Sequence, residues 1–270
     1  MRTAVSIRAV GGAVVVTGSS RGIGAATARL AAERGHAVVV NYRSDRAGAE
    51  AVAREIADGG GEAVAMRADI SDEADVVAFF AKVDDWRGSR PLAGLVNNAG
   101  VDGGRDPIEQ VTGDAIAPLY SVNVVGTALC CREAVRRMAA RNGGPGGAIV
   151  NVSSMSATIG GRPGAAFYAA SKAAVDTLTV GLAKEVAGES VRVNAVRPGM
   201  TLTDMTAERL TDPARRAEID ATIPMHRPAT VEEVAAPIVW LLSDEASFVS
   251  GCLLDVSGGG FVIGAPPPAG

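Results

Sequence analysis

One tyrosine and one lysine are spaced in a way that suggests acid–base chemistry. Tyr168 and Lys172 are four residues apart in a segment whose pattern predicts a helix, so both side chains project from one face. A free tyrosine, with a pKa of about 10, is a poor base near neutral pH, but a neighbouring ammonium lowers that pKa by roughly 1–3 units. The chain has only three lysines. This favours Tyr168 as a proton donor or acceptor over the alternative, a half-buried tyrosine beside a surface lysine.

A glycine-rich loop lies near the N-terminus, between a predicted strand and a predicted helix. It reads Thr17-Gly18-Ser19-Ser20-Arg21-Gly22-Ile23-Gly24. Glycines allow a tight turn and a close approach of backbone to a pyrophosphate, and the following helix offers free N–H groups to phosphate. The flanking strand and helix are the context that a dinucleotide-binding loop requires. We therefore interpret the loop as a nucleotide site; the alternative is a purely structural turn.

The end of the second predicted strand indicates which dinucleotide binds. NAD-preferring folds of this design carry an acidic residue there, which bonds both ribose hydroxyls. Tyr42 occupies that position, Arg43 follows it, and Arg21 lies in the glycine loop. Two guanidiniums could flank a 2′-phosphate, which predicts NADP(H) as the cofactor. The alternative is that Arg43 is a solvated loop charge paired with Asp45.

Short β-branched runs alternate with helical patterns, and these elements must position the residues above. The predicted strands are 13–17, 37–41, 63–67, 92–97, 148–152, 191–196 and 252–256. The predicted helices are 22–34, 47–57, 72–83, 115–141, 166–186, 204–219 and 231–242. Continuous Val/Ile/Ala strands with helix-length crossovers imply a parallel sheet covered on both faces. We predict an α/β fold, a single doubly wound (Rossmann) domain with a mainly parallel seven-stranded sheet.

Residues 1–270 are predicted to form one domain, because no repeat or linker interrupts the alternation. Residues 1–12 would form an N-terminal arm, 202–228 a substrate loop region and 261–270 a loose C-terminal tail. The apolar N-terminus could instead be a signal peptide, but Arg8 interrupts it and it runs directly into the glycine loop. We expect no transmembrane segment, since no apolar stretch approaches the roughly 18 residues that span a bilayer.

Composition narrows the functional classes. A net charge of −4 and a pI of about 5.3 argue against a dominant nucleic-acid or anionic-membrane surface. With 47% hydrophobic residues the chain can build a sizeable core. Three cysteines and two histidines are too few for a disulfide framework or a zinc-type ligand set. We therefore predict a reduced, cytoplasmic protein without a metal.

Several motifs occur in the order found in one known family. They are the glycine loop, Asn97-Asn98-Ala99-Gly100, Tyr168-Ala169-Ala170-Ser171-Lys172, Asn194 with Pro198-Gly199 and Thr203, and Ser250-Gly251 with Gly258-Gly259. Together they resemble the short-chain dehydrogenase/reductase family over about residues 13–260. Within it the chain most resembles 3-oxoacyl-acyl-carrier-protein reductases and glucose 1-dehydrogenases, a chemically mixed subgroup.

The resemblance implies a role for several single residues. Ser154 would be the catalytic serine that orients the substrate oxygen, with Ser153 as the alternative. Asn123 would be the fourth catalytic residue beside Tyr168 and Lys172; a helix kink around a water would explain it, and a solvent-facing asparagine is the alternative. Ser154 and Tyr168 are 14 residues apart, one more than the family pattern, which leaves the substrate's shape open.

The resemblance also implies a set of cofactor-binding positions. They are Gly18, Ser20, Arg21, Gly22, Ile23 and Gly24 in the loop, Tyr42 and Arg43 after strand two, Asp69 and Ile70 after strand three, Asn97, Ala99 and Gly100 after strand four, Tyr168 and Lys172 in the helix, and Pro198, Gly199 and Thr203 after strand six. Asp69 also resembles part of a helix N-terminus, and the two roles are compatible.

These implications add up to an NADP(H)-dependent oxidoreductase that acts on a carbonyl or secondary alcohol, a 3-oxoacyl compound or small ketone. The alternatives are an aldose (glucose 1-) dehydrogenase and a non-catalytic NADP-binding regulator. The apolar helices at 115–141 and from 166 predict a homotetramer. Basic residues at 132, 136, 137 and 141 could dock an acidic acyl-carrier protein, with a solvated face as the alternative.

Overall fold

The computed structural model describes residues 11–204, 206 and 211–260. Its seven strands form one sheet in the order β3-β2-β1-β4-β5-β6-β7, and every pair of neighbours is parallel. The strands are β1 Ala13–Val16, β2 Ala37–Tyr42, β3 Glu62–Arg67, β4 Leu92–Asn97, β5 Gly147–Val152, β6 Val191–Pro198 and β7 Leu253–Val256. The prediction of a doubly wound seven-stranded sheet is confirmed, and the sheet is wholly parallel rather than mainly so.

Helices cover both faces of the sheet. They are α1 Gly22–Glu33, α2 Arg46–Asp58, α3 Glu73–Arg87, α4 Gly113–Tyr120, α5 Thr127–Met138, α6 Ser156–Ile159, α7 Ala166–Val186, α8 Pro213–Ala221 and α9 Val231–Leu242. α1, α2 and α9 contribute to the core on one face, and α3, α5 and α7 to the core on the other. Side chains that alternate along β1 contribute to both cores, because Val15 packs into one core, and Val14 and Val16 pack into the other.

The predicted helix over 115–141 changes from α-helical to π-helical geometry part-way along. α4 and α5 are joined by a π-helical segment, Ser121–Gly126, and α5 ends at Met138 before a short 3₁₀ turn. At Gly126 an added Cβ would lie only 2.7 Å from the carbonyl oxygen of Ile70, so a glycine is required there. The chain is thus helical from Gly113 to Met138, close to the predicted range 115–141, but it has a π-helical segment in its middle and ends earlier. Gly126 of this segment packs against the loop that follows β3.

Two other predictions need correction around the substrate side. Asp204 and Thr206 are helical, as expected over 204–219, but the chain bends at residues 211 and 212 and a separate helix, α8, begins at Pro213, where Asp212 caps it by accepting a hydrogen bond from the amide of Ala214. Residues 205 and 207–210 lie outside the described residues, as do the predicted tail and all but Gly11 and Gly12 of the predicted arm. A short helix, α6, forms in the segment after Ser154 that was expected to be loop.

One helical stretch, Gly113–Met138, is long and apolar enough by length and composition to cross a membrane, contrary to expectation. Only 39% of its most apolar window is buried within the chain. Here α5 packs against β4 and against α3 as part of the layer on the sheet, which is how core helices of soluble folds also behave.

Candidate active site

A cavity of about 640 Å³ opens at the carboxyl ends of the strands, where β1 lies between β2 and β4. In open parallel sheets, ligands bind at this switch point. The cavity collects 16 of the 18 positions predicted to bind the cofactor: Gly18, Ser20, Arg21, Gly22, Ile23, Tyr42, Arg43, Asp69, Ile70, Ala99, Gly100, Tyr168, Lys172, Pro198, Gly199 and Thr203. Gly24 and Asn97 are the two that do not line it.

The glycine loop has the backbone that a phosphate cradle needs. Gly18 and Gly22 have φ angles of +60° and +58°, a region that favours glycine. A Cβ at Gly18 would lie 2.8 Å from Cα of Ala99, and one at Gly24 would lie 2.4 Å from Nδ2 of Asn98. Gly24 therefore allows close packing behind the loop instead of touching a ligand. No acidic side chain occupies the first turn of α1, the end that faces the cavity.

Asn97 ends β4 and Asn98 follows it, and of these two asparagines Asn98 lines the cavity. Asn97 is buried, and its Nδ2 donates to Oδ1 of Asn151 on β5 at 2.9 Å. The structure does not bring Asn97 to the cavity with the other predicted cofactor residues, because its amide is buried against Asn151 and against Sγ of Cys131 in α5. Asn98 lines the cavity instead, and its Nδ2 donates to the carbonyl oxygens of Thr17 and Gly18 at 3.0 and 2.8 Å. Asn98 thereby fixes the glycine loop against β4.

Ser153 and Ser154 both line the cavity after β5, but they are held differently. Oγ of Ser153 is buried and donates to the carbonyl oxygen of Lys172 at 3.1 Å. Ser154 is less buried, and its Oγ accepts a hydrogen bond from the amide of Ser156 at 3.1 Å. That contact leaves the Ser154 hydroxyl hydrogen available to a substrate oxygen, which agrees with the choice of Ser154 over Ser153.

Tyr168 and Lys172 meet in the cavity from adjacent turns of α7. Nζ of Lys172 lies 5.9 Å from the centroid of the Tyr168 ring and donates to the carbonyl oxygen of Val152 at 2.8 Å. Burial lowers the pKa of Lys172 to about 8, while the charge of Asp176 opposes that shift. At neutral pH the lysine therefore remains mostly protonated, so its charge favours the phenolate of Tyr168. The alternative of a surface lysine is excluded, since only 5% of Lys172 is exposed.

Asn123 lies in the π-helical segment and is completely buried. Its side chain pairs with the backbone of Val101: Oδ1 accepts from the amide and Nδ2 donates to the carbonyl, both at 2.9 Å. Nδ2 also donates to Oγ of Ser171 at 3.1 Å. A Cβ at Gly100 would lie 3.2 Å from Oδ1 of Asn123 and 3.3 Å from Nζ of Lys172. The expected distortion of the helix is present, and the solvent-facing alternative is wrong.

The part of the cavity lined by the glycine loop and the end of β2 carries Arg21 and Arg43, the two positive charges that the sequence suggested. Asp45 caps α2 and pairs with Arg21, at 3.7 Å between Oδ2 and Nη1, instead of with Arg43 as the alternative supposed. Burial alone would raise the pKa of Asp69, but hydrogen bonds from Ser71 and the charges of Arg43 and Arg67 lower it. Arg43 thus lies close enough to Asp69 to stabilise its carboxylate. The residue that caps α3 is Asp72, so Asp69 does not serve as that cap.

Comparison with known proteins decides the family. Residues 18–260 match the family model described as enoyl-(acyl carrier protein) reductase. The chain belongs to the short-chain dehydrogenase/reductase family. As a member of that family it is an oxidoreductase that acts on CH–OH groups. The resemblance inferred from the ordered motifs is confirmed.

Similar proteins have varied substrates. An uncharacterized oxidoreductase of Escherichia coli, YgfF, is 50% identical over 91% of this chain and 98% of its own. A cis-4-hydroxycyclohexanecarboxylate dehydrogenase of Sinomonas cyclohexanicum is 42% identical, over 91% and 94%. A 3-oxoacyl-[acyl-carrier-protein] reductase of Staphylococcus aureus is 36% identical, over 91% and 96%.

The fold is also that of solved structures. A gluconate 5-dehydrogenase from Burkholderia cenocepacia J2315, in complex with NADP and tartrate, superposes with a TM-score of 0.84 and 32% identity. The match covers 92% of this chain and 94% of that one.

The basic stripe on α5 is not a free positive surface in this dehydrogenase/reductase. Arg132, Arg136 and Arg137 all pair with Glu133, whose side chain is only 4% exposed, and Arg141 pairs with Glu189. Arg137 also pairs with Asp84 of α3 at 2.7 Å. The pair between Arg137 and Asp84 joins α5 to α3. These ion pairs neutralise much of the charge on which docking of an acyl-carrier protein depends, and that docking stays a prediction.

Sequence reasoning missed two groups of residues around this site. Arg105 and Arg162 line the cavity beside Met155 and Ile159, yet no local pattern in the sequence marks them. The second group lies behind Lys172, where Asp176 is one helical turn further along α7. The spacing of Asp176 from Lys172 was available in the sequence as a charged pair four residues apart, and it was overlooked.

Proposed function

We propose that this chain is an NADP(H)-dependent reductase of a ketone or 3-oxoacyl compound, working reversibly through Ser154, Tyr168, Lys172 and Asn123. The observation that carries the proposal is the placement of Lys172 5.9 Å from the Tyr168 ring, in the cavity that the glycine loop also lines. A dinucleotide site and an acid–base pair in one cleft suit hydride transfer with coupled proton transfer.

The residues present fit a dinucleotide. Gly18 leaves no room for a side chain between the loop and Ala99, while Arg21 and Arg43 line the same cavity. Guanidiniums suit a 2′-phosphate because they donate charge-assisted, bidentate hydrogen bonds. Thr203 lies against the loop, since a Cβ at Gly22 would come within 3.7 Å of its Cγ2. When bound, NADPH supplies the hydride that reduces the carbonyl carbon.

Proton transfer would fall to this chain's own side chains. The hydroxyls of Ser154 and Tyr168 would hold the carbonyl oxygen, and Tyr168 would donate its proton to that oxygen as negative charge develops. The ammonium of Lys172 lowers the cost of the resulting phenolate. Lys172 and Asn123 both lie beside Gly100. We propose that a replacement proton reaches Tyr168 past this point.

NADPH oxidation tests the proposal, measured with a panel of 3-oxoacyl thioesters, small diketones and steroid ketones. Aldoses with NADP⁺ test the alternative of glucose dehydrogenation. The variant Tyr168→Phe should bind NADPH normally and lose roughly 10²–10⁴-fold in turnover, the range that acid–base catalysis supplies. Retention of more than about a tenth of the rate would contradict the role of Tyr168. A wild type that binds NADPH but reduces and oxidises nothing would favour the non-catalytic regulator.

A further inference from the structure

Two arginines line the cavity besides those near the glycine loop and the end of β2. Arg105 lies in the loop after β4, and Arg162 in the loop between α6 and α7. Both line the same cavity as Ser154 and Tyr168. Arg105 and Arg162 belong to other loops of the cavity than Arg21 and Arg43, which accompany the glycine loop and the end of β2.

The backbone brings the two arginine loops into contact. Gly164 has a φ of +80°, and a Cβ there would lie 2.9 Å from the carbonyl carbon and oxygen of Arg105. The loop is closed by a turn in which the amide of Ala165 donates to the carbonyl oxygen of Arg162 at 2.9 Å. Arg162 therefore begins a tight turn that rests directly on the Arg105 backbone, and, besides burial, the charge of Arg105 lowers the pKa of Arg162, so the two guanidiniums lie close enough to interact.

Neither guanidinium is paired with a carboxylate in the part of the chain that the structure describes, whereas Arg21 of the same cavity pairs with Asp45. Among the described residues, no carboxylate oxygen lies within the 4.0 Å ion-pair limit of Arg105, Arg162 or Arg215. Burial lowers the pKa of Arg162, and the positive charges of Arg105 and Arg215 lower it further. Arginine stays charged in proteins, so this grouping costs free energy that a bound anion would offset.

The rest of this region limits the shape of the anion. Met155, Ile159 and Ala165 add apolar side chains to the lining of the same cavity. Asp102 also lines the cavity. A ligand that contacted the two arginines, the apolar side chains and the catalytic residues would have a short apolar body, with an anionic group at one end and the reacting carbon at the other.

We propose that the substrate is an oxo acid or hydroxy acid whose carboxylate binds Arg105 and Arg162 while its carbonyl or carbinol carbon lies beside Tyr168. The guanidinium fork matches a carboxylate in shape and charge, and such hydrogen bonds are stronger than neutral ones. This inference rests on the proposed function and names its substrate class. It favours a carboxylate on the substrate itself over the phosphates of a thioester carrier, which could also reach these arginines.

The test compares matched charged and neutral ketones. The probes are 4-oxopentanoate with 4-oxopentanamide, and 4-oxocyclohexanecarboxylate with its carboxamide, each with saturating NADPH. The wild type should favour each acid by at least about tenfold in kcat/KM, the effect of roughly one charge-assisted hydrogen bond. Arg105→Gln and Arg162→Gln should each remove most of that preference by raising KM for the acid. Arg54→Gln is the control, since Arg54 is exposed on α2 and is not a cavity residue.

The outcomes distinguish a failure of this inference from a failure of the proposed reductase function. If the acids and amides react equally well and neither arginine variant alters KM, the carboxylate site is wrong while the reductase stands. If the arginine variants weaken only acetoacetyl-CoA, the anion is a phosphate and the inference is overturned. If no ketone is reduced, titration of the NADP⁺ complex with 4-oxocyclohexanecarboxylate decides: binding that Arg162→Gln abolishes supports the site, and equal binding of the amide refutes it.

Discussion

Asp176 accepts a hydrogen bond from Arg197 of β6, at 2.9 Å between Oδ2 and Nε, one helical turn beyond Lys172. Both side chains are largely buried, at 8% and 17% exposure. Oδ1 of Asp176 has no hydrogen-bond partner among the residues that the structure describes. The negative charge of Asp176 raises the pKa of Lys172 against the stronger effect of burial. Asp176 is thus placed to position and tune the lysine without contacting a substrate.

We expect Asp176→Asn to shift the pH dependence of carbonyl reduction. Without the carboxylate, burial lowers the pKa of Lys172 further below about 8, so the ammonium is lost at a lower pH. The alkaline limb of kcat/KM should therefore move to lower pH, with little change in the rate at the optimum. Steady-state kinetics across neutral and alkaline pH measures this limb.

Asp255→Asn is the matched control for that experiment. Asp255 also contacts Arg197, at 3.5 Å from Nη1, but its side chain is 47% exposed and its charge does not act on Lys172. The control should keep the wild-type profile. If the pH profile of Asp176→Asn coincides with the profiles of the wild type and of Asp255→Asn, Asp176 only supports the packing of α7 against β6.

A second prediction concerns stability and the same lysine. Burial lowers the pKa of Lys172 from 10.5 to about 8, so between these values the unfolded chain binds a proton that the native state lacks. The penalty for the buried ammonium is complete below about pH 8 and disappears as the pH rises towards 10.5. The free energy of unfolding of the wild type, relative to Lys172→Met, should rise by up to about 3 kcal/mol across this window.

Urea denaturation on both sides of the window measures the difference. Lys184→Met, an exposed lysine of the same helix, reports any general effect of pH on α7. The difference between the wild type and this control variant should stay nearly constant. Parallel stability curves for the wild type and Lys172→Met would mean that Lys172 titrates as it does in the unfolded chain.

A third prediction concerns assembly. We propose a homotetramer built partly on α4, α5 and α7. Gly181 is exposed on α7, and an added Cβ there would meet open space, so Gly181→Arg fits the single chain. In an interface that buries more than roughly 1,200 Å², an arginine at this position should separate the subunits. Light scattering at micromolar concentration should show a tetramer for the wild type and smaller species for Gly181→Arg.

Gly188→Arg is the control for assembly, because Gly188 is exposed just beyond α7 and its Cβ would also meet open space. It should remain a tetramer. A wild type that scatters as a monomer would rule out the proposed assembly. Tetramers of all three proteins would exclude α7 around Gly181 as an interface.

The parts of the site that the sequence predicted are those set by local spacing. Tyr168 and Lys172 share a helix face, and the glycine loop follows a buried strand, so their neighbours in sequence determine their geometry. Asn97 was misplaced because β4 is buried on both faces, and a period of two does not show which side chain of such a strand turns towards the cleft.

The parts that were missed depend on contacts between distant segments. Gly126 of the π-helical segment packs against Ile70, and these two residues belong to different crossovers. Arg105 and Arg162 meet only because Gly164 rests on the Arg105 backbone. Neither contact leaves a periodic pattern in the sequence, although the extra residue between Ser154 and Tyr168 marked the loop that carries Arg162.

The last prediction is the choice of cofactor. Arg21 and Arg43 line the adenosine end of the cavity, and Tyr42 stands where an acidic residue would select NAD. NADPH should bind at least about tenfold more tightly than NADH, a difference of about 1.4 kcal/mol. Arg43→Ala should remove most of that gap and leave the affinity for NADH nearly unchanged, because only the 2′-phosphate uses the guanidinium. Fluorescence titration of both cofactors measures the gap. Arg46→Ala is the control, since Arg46 pairs with Glu50 at 2.7 Å on the exposed side of α2. Equal affinity of the wild type for NADPH and NADH would refute the assignment, and an equal loss of both in Arg43→Ala would show that Arg43 supports the β2 end without reading the phosphate.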